Sequence, residues 1–137
     1  MNVILVGTDD ALLEGLAQSF AASGLTPHVV GTLYEASEVA AEQKPIMVVV
    51  DRGIAMRTPA DVLAIQLAPG GSVVLYHGYG TEEEVAVTPP MLQRSVLAEL
   101  SLPLERNRLT ALALHVHGRA ITTGRDSVFH PPLEVRL

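Results

Sequence analysis

The residues best suited to chemistry are carboxylates that follow apolar runs. Thr8, Asp9 and Asp10 come directly after VILVG (3–7), and Asp51 closes IMVVV (46–50). Runs this apolar and this rich in β-branched residues read as strands buried on both faces. An acidic pair after a first strand and an aspartate after a third converge when the two strands are neighbours in a parallel sheet. Carboxylates gathered at one edge repel each other, and a hard divalent cation such as Mg2+ relieves that repulsion. Asp51 is then placed to act as a nucleophile toward a phosphoryl group. A fourth run, SVVLYH (72–77), delivers His77 to the same edge, where Arg52 and Tyr79 also fall.

These groups meet only if the intervening segments carry the chain back to the same side of the sheet, and they read as helices. Leu12, Leu13, Leu16, Ala17 and Phe20 recur at helical spacing behind Asp9, with Gly24 as the stop. His28–Val30 reads as a short second strand. Thr32 opens a second helix with Glu35 as its capping-box partner, and Lys44-Pro45 ends it. Arg52–Arg57 reads as a loop, and Thr58-Pro59-Ala60-Asp61 as the start of a third helix with proline in its first turn. After His77 the pattern thins. Ala86-Val87 reads as a very short fifth strand closed by Pro89-Pro90, and residues 91–100 read as loop or short helix. Leu109, Leu112, Ala113, Val116 and Ala120 mark a last helix over 104–120, expected to dock beside the first. On it, His115 is expected toward the docked face and His117 toward solvent. The result is an α/β domain over residues 1–121 with a tail over 122–137.

Composition excludes several chemistries. The 137 residues include no cysteine, which removes disulfides, thiolate metal sites and cysteine nucleophiles. Nine Lys+Arg against 15 Asp+Glu give a formal charge of −6, which opposes nucleic-acid binding by phosphate neutralisation. No apolar run is long enough to span a membrane, and the start lacks a basic signal region, so a cytoplasmic location is expected. A single lysine, Lys44, stands beside eight arginines.

Taken in order, VILVGTDDALLEGL, PIMVVVD and SVVLYHGYGTEEE resemble the receiver domain of bacterial two-component response regulators. The resemblance implies a flavodoxin-like (CheY-like) three-layer α/β sandwich with a parallel five-stranded sheet. It places Asp51 at the phosphoacceptor of a phosphorelay, Thr8 and Asp9 at the two acids of the Mg2+ pocket with Asp10 as a substitute, and Gly53 as a backbone carbonyl for the metal. The departures are as informative. The family's Ser or Thr at the end of strand four is replaced by His77. The family's lysine, which precedes a proline after strand five, falls on Thr88, and the aromatic just before it on Val85 or Ala86. Lys44 lies before strand three and cannot be realigned to that place. Arg94 is the nearest cation in the chain, but a guanidinium does not reproduce an ammonium.

Only residues 81–88 separate Gly80 from Pro89, too few for an ordinary helix of about 11–12 residues. The fourth helix is therefore expected to be shortened or missing, ahead of a long C-terminal helix. The resemblance implies a non-catalytic signalling module, a pseudo-receiver acting through a protein partner such as a histidine kinase or through a homodimer. The alternatives are a working phosphoacceptor on Asp51 with Mg2+, and a small-molecule or nucleotide sensor using Thr8, His77 and Thr88 around the strand-end pocket.

Overall fold

The computed structural model describes residues 1–78, 90–102 and 106–129. The chain runs β1 (Asn2–Val6), α1 (Asp10–Ala22), β2 (Thr26–Val30), α2 (Leu33–Gln43), β3 (Met47–Asp51), α3 (Arg52–Arg57) and α4 (Pro59–Leu63). It continues with β4 (Ser72–Gly78), α5 (Pro90–Gln93), β5 (Val96–Leu102) and α6 (Arg106–Phe129). The strands form one five-stranded sheet in the order β2-β1-β3-β4-β5, with every pairing parallel.

Apolar side chains leave both faces of the inner strands. Val3, Leu5, Met47, Val49, Val74 and Tyr76 pack with Leu13, Leu16 and Phe20 of α1 and with Leu109, Ala113 and Val116 of α6. Ile4, Val6, Val48, Val50, Val73 and Leu75 pack on the other face with Leu33, Ala36 and Ala40 of α2, Ala55 of α3, Val62 of α4 and Leu92 of α5. This double burial is why β1 and β3 read as continuous apolar runs rather than as alternating ones. The expected docking of the last helix beside the first is present, since α1 and α6 touch over a shared core.

Local signals set the helix starts. Asp9 caps α1, its Oδ1 accepting from the Leu12 N–H at 3.1 Å. At α2, Thr32 Oγ1 accepts from the Glu35 N–H at 3.2 Å, and Glu35 Oε1 accepts from the Gly31 N–H at 2.9 Å. The return bond thus reaches one residue further back than in the usual capping box. Lys44 closes α2 in the left-handed region at φ 45°.

Four sequence expectations need correction. Arg52–Arg57 is a helix, not a loop, because the Asp51 carboxylate supplies its cap. The strand in the fifth position is Val96–Leu102, while Ala86-Val87 lies outside the described residues. On β5, Leu100 and Leu102 are buried and Leu97 and Glu99 are exposed, so the strand has the alternation of a sheet edge. Its leucine, alanine and glutamate are common helix formers, which hid that alternation. On α6 the two histidines are reversed. The buried stripe of Leu109, Ala113 and Val116 brings His117, four residues after Ala113, to its margin and leaves His115 exposed. Finally, α6 continues past residue 121 to Phe129, into the segment expected to be tail. Between β4 and β5 the described helix is the four-residue α5, in keeping with a shortened fourth helix.

Candidate functional site

The crossovers deliver the carboxyl ends of all five strands to one edge, and the candidate residues gather at its centre. β1 and β3 are directly paired, Val6 opposite Val50, so the turn holding Thr8 and Asp9 lies beside the end of β3 that carries Asp51. Asp51 itself lies opposite Tyr76 of β4. Its Oδ1 accepts from the Gly53 N–H at 2.7 Å and from the Ile54 N–H at 3.4 Å, making the carboxylate the cap of α3. Asp9 spends its Oδ1 in the same manner on α1. These bonds do not use Oδ2 of either acid.

One residue near this edge was not singled out from the sequence. Tyr76 is 1% exposed, and its side chain crosses toward β1 until the hydroxyl abuts Gly7. A Cβ at Gly7 would overlap the Tyr76 oxygen, so glycine is what leaves room for the phenol. Among the described residues the hydroxyl has no hydrogen-bond partner. Burial, and after it the charges of Asp51 and Asp9, push its ionisation far above the ordinary tyrosine range. The phenol therefore stays a neutral hydroxyl in the folded chain.

The other candidates are less convergent. Thr8 and Asp10 are exposed, Asp10 in the first turn of α1. Gly53 meets the acid through its N–H. His77 is half-buried, with Ser101 Oγ on β5 lying 3.3 and 3.4 Å from its two ring nitrogens. Thr88 lies outside the described residues. β5 ends at Leu102, directly before Pro103. Leu102 is fully buried among the side chains under α6.

Lys44 and Arg52 lie where the sequence put them, whereas Arg94 does not reach the site. Lys44 precedes β3 and Arg94 precedes β5, so in a parallel sheet both lie at the amino edge, opposite Asp51. At the carboxyl edge, Arg52 pairs through Nε with Glu99 Oε1 of β5 at 3.3 Å. Arg57, another residue not singled out from the sequence, turns back along α3. Its Nη1 lies 3.8 Å from the point a Gly53 Cβ would occupy, and Asp51 Oδ1 lies 3.1 Å from that same point.

Among the described residues no group of three or more His, Asp or Glu comes together as a metal cage. A hydrated Mg2+ asks for less, one or two carboxylates with water completing the shell. Asp9 and Asp51, brought to one edge by the β1–β3 pairing and each with an Oδ2 that its helix cap does not use, would supply them. The residues present thus fit the ion. A separate concavity of about 200 Å³ is lined by Leu33, Tyr34, Ser37, Asp61 and Ala64. Among its described lining residues the one charged side chain is the Asp61 carboxylate.

No protein-family model matches the sequence, and no curated protein matches it. Solved structures do. A signal receiver domain from Vibrio parahaemolyticus matches 95% of this chain over 98% of its own, with a TM-score of 0.66 and 23% identity. NtrX from Brucella abortus, in complex with ADP, matches 98% of this chain with a TM-score of 0.65 and 16% identity, and the chain spans 31% of that protein's length. The receiver domain of a sensor histidine kinase from Pseudomonas aeruginosa carries a magnesium ion in its active-site cleft. It matches 85% of this chain over 97% of its own, with a TM-score of 0.63 and 14% identity. The order of strands, the helices on both faces and these likenesses agree: the chain has the CheY-like fold of response-regulator receiver domains.

Proposed function

We propose that the chain is a receiver-type signalling module that works by protein–protein contact, without efficient phosphotransfer to Asp51. The observation that carries this is the asymmetry of the pocket. Its acidic half, Asp9 and Asp51, is in place, while the strand ends that should supply a hydroxyl and a lysine hold His77 and the buried Leu102. Phosphoryl transfer runs on positioned positive charge and hydrogen-bond donors. Removing two of them leaves the aspartate without the groups that stabilise the transferred oxygens. Mg2+, when bound, supplies charge neutralisation, and Asp9 and Asp51 would hold it. The partner class is a histidine kinase or another signalling protein, in the cytoplasm. In the organism of origin, replacing Asp51 by Asn should preserve the signalling output that deletion of the chain removes. Loss of output in Asp51→Asn equal to that of the deletion would overturn the proposal.

A second reading, a working phosphoacceptor on Asp51, has one observation in its favour. Arg57 brings a guanidinium close to the aspartate from α3. It supplies a cation but neither the geometry of an ammonium nor the missing hydroxyl.

A further inference from the structure

We propose that the concavity between α2 and α4 is a docking site for a protein partner that inserts an arginine side chain. The inference rests on the contact-based signalling reading and names the surface and the chemistry of the contact. Leu33 and Ala64 give the concavity apolar walls, while Tyr34, Ser37 and Asp61 give it an aromatic ring, a hydroxyl and a carboxylate. Tyr34 is 73% exposed, well beyond any other large hydrophobic side chain among the described residues. Among those residues no ion pair engages Asp61. At about 200 Å³ the concavity is smaller than the roughly 300–1,000 Å³ of sites that enclose a small-molecule ligand. It suits a single inserted side chain.

Charge selects the occupant. α2 carries Glu35, Glu38 and Glu42, α4 carries Asp61, and neither helix holds a basic residue. Lys44, at the end of α2, donates to Gln66 Oε1 at 3.3 Å, and Arg57 ends α3 before α4 begins. The two helices that flank the concavity thus favour a cation. Arginine matches the groups that line it. A planar guanidinium stacks on a tyrosine ring, donates in pairs to a carboxylate and keeps further N–H groups for a hydroxyl. Its alkyl stem would lie against Leu33 and Ala64. Lysine brings the same charge without the fork or the stacking plane. Tyrosine and arginine are also the residues on which interfaces most often concentrate their binding energy.

The test is an amide-shift NMR titration of the full chain with acetyl-Ala-Arg-Ala-amide. Parallel titrations use the same tripeptide with lysine, or with citrulline as the neutral isostere. The arginine peptide should shift the signals of Tyr34, Ser37, Asp61 and Ala64 saturably. The lysine peptide should bind more weakly, and the citrulline peptide should leave those signals in place. Asp61→Asn should weaken the arginine peptide by about twofold to fivefold, as loss of an exposed ion pair does, and Tyr34→Ala by a similar factor. Both side chains are exposed, so the unfolding midpoints should stay at the wild-type value. Absent shifts, equal binding of the citrulline or lysine peptide, or undiminished binding in Asp61→Asn would overturn the proposal. In the organism of origin, Asp61→Arg should abolish the output that Asp51→Asn preserves. Full output in Asp61→Arg would overturn the site as a partner contact while leaving the contact-based reading intact. Loss of output in Asp51→Asn would instead overturn that reading, and with it the partner contact built on it.

Discussion

At the scale of single residues, the pair Gly7 and Tyr76 decides how tightly the pocket wall is built. A methyl group at position 7 has nowhere to go, because the phenol oxygen that it would strike is itself buried. Gly7→Ala should therefore destabilise the fold by about 1–3 kcal/mol in chemical denaturation. Tyr76→Phe in the same chain should recover part of that loss, since it removes the clashing atom. The phenol also predicts a pH dependence. Its ionisation is raised in the folded state, whereas in the unfolded chain it ionises near the ordinary value of about 10. Above that pH the unfolded state sheds a proton that the folded state retains, so stability falls as pH rises. Alkaline unfolding should begin at lower pH in wild type than in Tyr76→Phe, with Tyr34 and Tyr79 common to both.

At the scale of elements, caps and strand pairing hold the carboxyl edge in place. Thr32→Ala removes the hydroxyl that receives the Glu35 amide at the start of α2 and should cost about 1 kcal/mol in thermal or denaturant unfolding. The Arg52–Glu99 pair ties the residue after Asp51 to the edge strand β5 across β4. Its side chains are 17% and 34% exposed, so screening limits its worth, and Glu99→Gln should cost no more than about 1 kcal/mol. The elements also show what the sequence could reveal. β1, β3 and β4 were legible because burial on both faces demands an unbroken apolar run, and α1 and α2 because Asp9 and Thr32 announce their caps. β5 was not, since an edge strand buries one face only and its Leu97-Ala98-Glu99-Leu100 suits a helix as well. With the strand at Val96–Leu102, the residue preceding the proline after it is Leu102, where the sequence expectation had Thr88. The conclusion that no lysine stands there survives, because it depended on Lys44 being alone rather than on the register.

At the scale of the molecule, the sheet is sealed by α1 and α6 on one face and by shorter helices on the other. Leu109 lies wholly within the α6 contact, and truncating it to alanine should cost about 2–5 kcal/mol. The acids of the pocket were legible from the sequence because strand ends in a parallel sheet share one edge. Tyr76 and Arg57 were not, because one depends on a side chain reaching over β3 to the end of β1 and the other on a helix where a loop was expected. What remains to be measured is whether this edge, acidic but without a lysine or hydroxyl at its strand ends, still performs phosphotransfer. Incubation of the full chain with Mg2+ and acetyl phosphate, followed by intact-mass measurement, addresses that directly. No phosphoryl-sized increment should accumulate on wild type beyond the level seen in Asp51→Asn. A stable increment on wild type that Asp51→Asn abolishes would contradict it.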